Sequence, residues 1–333
     1  MEKNTMKKRK LTIEEGLYLL LAGTALLALI LYVSFCLDNL MHSDTTAEVI
    51  LSKFLADHNE LISKEWFYST EIRVIYTQLV MVPLFKIFSS FRLVKLLSIF
   101  IYYAILLYAW HMLTKRFTLE KKWIFLGLAL LLAPLSNEYL DMMFIGCFYT
   151  TQTICMYLVL SFVLKEKNSK KMWIREGIVL SVLSLLLGMT GLRYLASLYL
   201  PMLLAFLLFP VLEKEGNKKE NWQNITFSLV LTGFAGIGFL INKFYLAVHY
   251  SFDTTSEVSF VPIDEIPDRF LTSIRLMLEF MGYRQIQVVT PLGIVNAVKC
   301  LFFLAFIAMI AVLFHKRMEL DAKERFLLYF FLM

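Results

Sequence analysis

Two stretches of the chain, Leu17–Cys36 and Ile225–Ile241, carry no charged side chain. At a rise of about 1.5 Å per residue, helices of this length cross most of a hydrocarbon core roughly 30 Å thick. In lipid each backbone N–H and C=O must be satisfied within its own element, so such stretches form helices. Similar apolar runs recur along all 333 residues, of which 59% are hydrophobic and 18% charged. The pattern predicts an all-α fold, a polytopic transmembrane helical bundle of about eight or nine spans in a single membrane domain over 1–333. Spans are expected near 15–37, 93–114, 122–136, 143–164, 174–190, 194–212, 225–247 and 293–315, with a last one starting near 325. That last run is too short to cross a bilayer, so the chain is expected to be the N-terminal part of a longer protein or a shortened homologue.

Charge placement sets the sides. Lys and Arg concentrate in five segments, 1–10, 115–122, 165–175, 213–220 and 316–325. Two expected spans separate each consecutive pair, so all five fall on one face, the cytoplasmic one by the positive-inside rule. The basic start (Lys3, Lys7, Lys8, Arg9, Lys10) precedes an apolar run too long for a signal-peptide core. It reads as a retained signal anchor with a cytoplasmic N-terminus in the plasma membrane. The formal net charge of +6 is thus mostly topology signal, and no basic-aromatic groove pattern accompanies it. Nucleic acid is not an expected partner; the lipid bilayer is. Cys36, Cys147, Cys155 and Cys300 lie in or beside apolar segments without metal-ligand spacing and read as small buried hydrophobes.

Val74–Phe88 is apolar but short, and holds Gln78, Pro83 and Lys86. Counting it as a span would put every later basic loop on the wrong side, so it is expected as an interfacial or re-entrant helix, like the segment near 45–56. Two large outer loops follow, 38–92 and 248–291.

The first loop is rich in carboxylates. Asp44 and Glu48 are four apart and share a helix face if Thr45 onward is helical. Two roles are open to them: general-base chemistry at the membrane surface, with Asp38 nearby, or a Thr45/Glu48 capping box with Asp44 favouring the helix dipole. Arg193 is the only charge in its tight outer turn, GMTGLRYL. It can hold a lipid phosphate bidentately or snorkel to a headgroup. Lys243 and Lys299 lie near outer span ends, where the same choice applies. Glu138 and Asp141 in the turn SNEYLD can line a sugar site or simply be hydrated. No HExxH, GxSxG or Walker pattern occurs, which sets aside metalloproteases, serine hydrolases and ATPases.

A signal-anchor span, an outer loop with early acidic residues (Asp38, Asp44, Glu48), a lone arginine before an aromatic (Arg193, Tyr194) and a second large outer loop follow one another here. This arrangement resembles the GT-C membrane glycosyltransferases, including the protein mannosyltransferase and aminoarabinose transferase branches. The stretch SKEWFYSTEIRVIYTQLVMVPLFKIF is similar to uncharacterised bacterial members. The resemblance implies a polyprenyl-phosphate-linked sugar donor and a cell-envelope acceptor. It also implies Asp44 as base and Arg193, with Lys243 or Lys299, toward the lipid phosphate, with Tyr194 among the substrate-binding residues. No cofactor is implied; a divalent metal serves some relatives. The alternatives are a lipid-linked polysaccharide polymerase or ligase, a transporter or flippase, and a non-enzymatic assembly subunit.

Overall fold

The computed structural model describes residues 11–68, 72–133, 136–165, 170–212, 218–252, 261–283 and 290–333. The basic segment 1–10, the acidic residues Asp253 and Glu257, Arg284, and parts of the basic loops at 166–169 and 213–217 lie outside these.

The chain is helical almost throughout. α1 (Ile13–Leu40) starts at a capping box in which Thr12 and Glu15 exchange side-chain and backbone bonds. Two short helices, α2 (Ser43–His58) and α3 (Gln78–Phe85), pack on each other before α4 (Phe91–Thr114). α2 stops at Asn59, whose left-handed backbone closes the last turn on Leu55. Next come α5 (Lys121–Leu132), α6 (Asn137–Tyr139), α7 (Phe148–Val163), α8 (Lys170–Gly188), α9 (Leu192–Tyr194), α10 (Leu200–Leu212) and α11 (Lys218–Ile241). The last helices are α12 (Ala247–His249), α13 (Ile266–Phe280), α14 (Pro291–His315) and α15 (Ala322–Leu332). β1 (Phe67–Tyr68) and β2 (Ser251–Phe252) form one parallel pairing, Phe67 opposite Ser251 and Tyr68 opposite Phe252.

Among the described residues, five helical segments are long and apolar enough to cross a membrane: Ile13–Leu40, Phe91–Thr114, Leu192–Leu212, Asn221–His249 and Gly293–His315. A sixth results if Lys121–Leu132 and Asn137–Ile145, sharply bent against each other, count as one. The runs expected at 122–136 and 143–164 are therefore a bent pair and a 16-residue helix. The run expected at 174–190 falls in α8, whose first turns carry Arg175 and Glu176. Only 6% of the apolar stretch of α14 is buried by the rest of the chain. Phe35 on α1 and Phe302 on α14 are 80% and 69% exposed. Apolar surface on this scale is what lipid, rather than water, would cover.

Three packed clusters hold the bundle. One joins α7, α8, α10, α11 and α15 around Tyr199, Met202, Leu231 and Tyr329. A second joins α1, α4 and α7 around Val33, Leu106 and Phe144. The third lies under α2 and α3, around Val49, Leu55, Met81 and Val94. The ends of the helices sort into two groups. Lys122 meets Glu14 at 3.3 Å, and Lys165 meets Glu176, at the end where the basic loops fall. At the opposite end the turns after α1, α5, α8 and α11 come together.

Among the described residues, three helices at that opposite end contain a π-helical turn: Leu140–Ile145 after α6, Leu195–Tyr199 after α9 and Asn242–Leu246 after α11. α6 and α9 share one construction, a three-residue turn closing on a buried tyrosine, Tyr139 or Tyr194, ahead of its π turn. π turns widen a helix locally and re-aim its side chains, and they concentrate at functional sites.

α8 and α11 touch through glycines. A Cβ on Gly188 would lie 2.0 Å from the Ala235 carbonyl oxygen, and one on Gly238 2.1 Å from that of Leu185. Close approach of small residues is how helices associate without a hydrophobic drive from water. Gly188→Ala is expected to force the two helices apart and cost about 1–3 kcal/mol, as overpacking does. Thermal unfolding in detergent, beside Gly16→Ala where nothing lies within 4 Å, checks this.

Candidate functional site

α2 begins three residues earlier than the capping-box reading requires. His42 is its N-cap, so Thr45 is the third helical residue and Glu48 lies a turn too far along to reach back. The box does not form. Thr45, fully buried, places its hydroxyl 2.8 Å from His42 Nε2. The same nitrogen lies 3.0 and 2.9 Å from the two carboxylate oxygens of Asp141, in the π turn after α6. His42 thereby ties the start of α2 to the turn between α5 and α7.

Glu48 turns inward. Its Oε2 accepts from the Thr77 hydroxyl at 3.0 Å, and its Oε1 lies 4.0 Å from Arg73 Nη1. Both charged side chains are largely out of water, Arg73 at 14% and Glu48 at 17% exposed. Burial pushes the Glu48 carboxyl above its ordinary value; the Arg73 guanidinium, the Thr77 hydroxyl and Lys95 pull the other way, and Asp44 adds to the rise. Asp44 is exposed in the first turn of α2, and on the same face. Lys95, one turn into α4, is 1% exposed, with Nζ 3.4 Å from the Gly146 carbonyl. Glu48 and Asp141 are the carboxylates within its field.

Beside this cluster opens a small cleft lined by Arg73, Tyr76, Phe148, Gln152, Thr190, Arg193 and Tyr194. Arg73 lies 4.5 Å over the Tyr76 ring, and Tyr76 stacks almost parallel on Phe148. The Tyr76 hydroxyl is buried without a hydrogen-bond partner, and burial raises its pKa. Gly191, at φ 114°, takes a conformation that favours glycine and turns the chain so that Arg193 arrives at the rim. There the Arg193 guanidinium lies 5.7 Å from the Tyr149 ring. Gln152 donates to Ser197 at 2.6 Å, and Ser197 donates to the Arg193 carbonyl.

The expected site residues thus divide. Arg193 and Tyr194 line the cleft, Glu48 abuts it through Arg73, and Asp44 and Asp141 lie in the adjoining charged cluster. The others lie apart. Asp38, within α1 rather than in a loop, pairs with Arg92 Nε at 3.1 Å on the exposed flank. Glu138 and Lys243 are exposed, and Lys299 donates to the Gly282 carbonyl at 2.7 Å. Arg73, Tyr76, His42 and Lys95 were not among the expected residues. Lys95 had a signal, a lone charge in the apolar run FRLVKLLSIF. The pairing of His42 with Asp141, 99 residues apart, had none. Among the described residues, no three His, Cys, Asp or Glu side chains gather as a metal-ligand set.

Fold and site define a class: a mainly helical chain with several membrane-length apolar helices and, at one end, a two-arginine cleft beside buried ionisable groups. No known protein family, no characterised protein and no solved structure matches the chain.

The raised Glu48 carboxyl has a consequence for stability. The folded chain holds this proton at higher pH than the unfolded chain does. Stability from the neutral form is therefore complete below the ordinary value of 4.5 and is lost as pH rises through the raised value. Glu48→Gln mimics the neutral form. Its thermal midpoint in detergent should match wild type below the ordinary value of 4.5 and exceed it increasingly as the pH is raised above that.

Proposed function

We propose that this chain is a multi-pass plasma-membrane protein of about eight or nine spans, N-terminus cytoplasmic. In this reading it transfers a sugar from a polyprenyl-phosphate donor to an extracytoplasmic acceptor, as a GT-C-type glycosyltransferase. The observation that supports it most is the adjacency of the Asp44–Glu48 face to the Arg73–Arg193 cleft, at the end away from the basic loops.

The chemistry has a simple balance. The acceptor oxygen forms a bond to the anomeric carbon while the bond from that carbon to the phosphate oxygen breaks. The acceptor proton goes to Asp44, and the electron pair leaves with the phosphate. Two guanidiniums beside the leaving oxygen stabilise charge where it develops, in a site partly shielded from water. Tyr76 and Phe148 offer an aromatic wall to the sugar face. Glu48 holds Arg73 when no donor is present.

One observation favours a second reading. His42 and two arginines reach the site, and lipid-linked polysaccharide polymerases and ligases lean on such groups. The two readings differ in the acceptor, which for a polymerase is itself lipid-linked and grows by repeated addition.

Transfer of labelled sugar from a panel of polyprenyl-phosphate donors in proteoliposomes tests both. Asp44→Asn should lower the rate by about 10²- to 10⁴-fold, the usual contribution of a general base. Equal rates would remove Asp44 from the chemistry, and no transfer from any donor by wild type would overturn the reading. Products that lengthen stepwise on a lipid-linked acceptor would favour the polymerase.

A further inference from the structure

We propose that α13 lies flat in the membrane interface, its apolar face in lipid at the headgroup–acyl boundary of the leaflet away from the basic loops and its charged face in water. The inference rests on α14 crossing the membrane and is independent of the sugar-transfer reading.

The sequence of α13 has two faces. Ile266, Phe270, Ile274 and Met277 recur at the spacing of one helix face, and Leu271 and Leu278 widen it. Asp268, Thr272, Arg275 and Glu279 recur on the opposite face. The arginines pair along the helix itself, Arg269 with Glu265 at 3.0 Å and Arg275 with Glu279 at 3.5 Å, as on a face that borders water. The apolar face is not spent on the bundle. No residue of α13 is buried, and Phe270 and Leu271 are each 64% exposed. A helix so divided, with a strongly charged face and an exposed apolar one, suits the plane of a membrane surface.

The height of α13 along α14 points to lipid as what covers that face. Three contacts hold its C-terminal end. Ser136 donates to the Phe280 carbonyl at 2.6 Å, the Phe280 ring meets Tyr139 edge-on, and Lys299 of α14 donates to the Gly282 carbonyl at 2.7 Å. Counted from His315, a hydrocarbon core roughly 30 Å thick takes up about 20 residues of α14 and ends near Val295. The Lys299 backbone then lies about 6 Å inside that boundary, and its side chain can reach back toward water. Gly282 directly follows Met281, the C-cap of α13, so this end of the helix is pinned close to the boundary. An interfacial helix buries its apolar face about 5–10 Å deep, the same level. A protein partner could cover the apolar face at any height along α14, whereas lipid requires this one.

Spin-label depth measurement on the full chain in phosphatidylcholine vesicles tests this. Cys36 and Cys300, the two cysteines that are not buried, are first replaced by serine. Single labels are then placed through Phe270→Cys and Met277→Cys on the apolar face, Asp268→Cys and Arg275→Cys on the charged face, and Ile307→Cys on α14 as a reference. Relaxation by oxygen against relaxation by a water-soluble nickel chelate reads the depth of each label. Phe270→Cys and Met277→Cys should report about 5–10 Å of immersion, while Asp268→Cys and Arg275→Cys report water. Water at all four positions overturns the inference. So does shielding of Phe270→Cys and Met277→Cys from both relaxing agents, which assigns the face to a second copy or another protein. Ile307→Cys separates the premise: oxygen-dominated relaxation there keeps α14 in the membrane whatever α13 does, and water there overturns the spanning reading together with the inference. Wild type gives a check that needs no variant. A phosphatidylcholine bearing a diazirine near the head of one acyl chain should, on illumination, modify the tryptic peptide Phe270–Arg275. Modification of α14 without that peptide overturns the inference.

Discussion

Residues 72–76 run through the centre of the site as irregular backbone, and irregular backbone away from water needs partners for its peptide groups. Four side chains from four different elements supply them. Asn242, in the π turn after α11, donates to the carbonyls of Ile72 and Met189; Gln78 donates to that of Arg73. Thr190, after α8, accepts from the Ile75 amide, and Tyr102 of α4 donates to the Tyr76 carbonyl. These bonds place Arg73 and Tyr76. Without them the segment could not lie between α2 and the bundle, and neither the cleft nor the Glu48 contact would exist.

Charge adds a second layer. The cluster at this end combines groups at very different depths, from exposed Asp44 through half-buried His42 and Asp141 to fully buried Lys95. Charges removed from water are costly unless they face opposite charges or strong dipoles. Thr77 and Arg73 serve Glu48, and the Gly146 carbonyl serves Lys95. The same pairing that makes burial tolerable leaves each group sensitive to any new charge in the cleft.

The π turns join backbone to function. Each interrupts a helix at the same end of the bundle, and each carries or adjoins a residue that builds the site: Asp141, Arg193 with Tyr194, and Asn242. A regular helix would keep these side chains on a stripe set by its 3.6-residue period. The extra residue per turn shifts them off it, toward the space between α2, α7 and α9.

Much of the architecture was legible in the order of residues. Uncharged runs of membrane length could only become helices, and Val74–Phe88, with Gln78 and Pro83 in it, could not become a full span; it forms only the eight residues of α3. The early acidic residues and the lone Arg193 were visible as charges out of place among apolar neighbours. The length of the runs at 122–136 and 143–164 was misjudged, because hydropathy does not register a bend such as that between α5 and the turn at Asn137. Which charges meet was decided only in three dimensions. Asp38 and Asp44, six residues apart, were separated because α1 continues to Leu40 and carries Asp38 round to Arg92. Glu48 found Thr77 rather than its own helix start because α2 began at Ser43. Sequence sets the solvent each segment must face, a local property of its side chains. The pairing of His42 with Asp141, or Asn242 with Ile72, depends on where separate helices end against one another, and packing alone decides that.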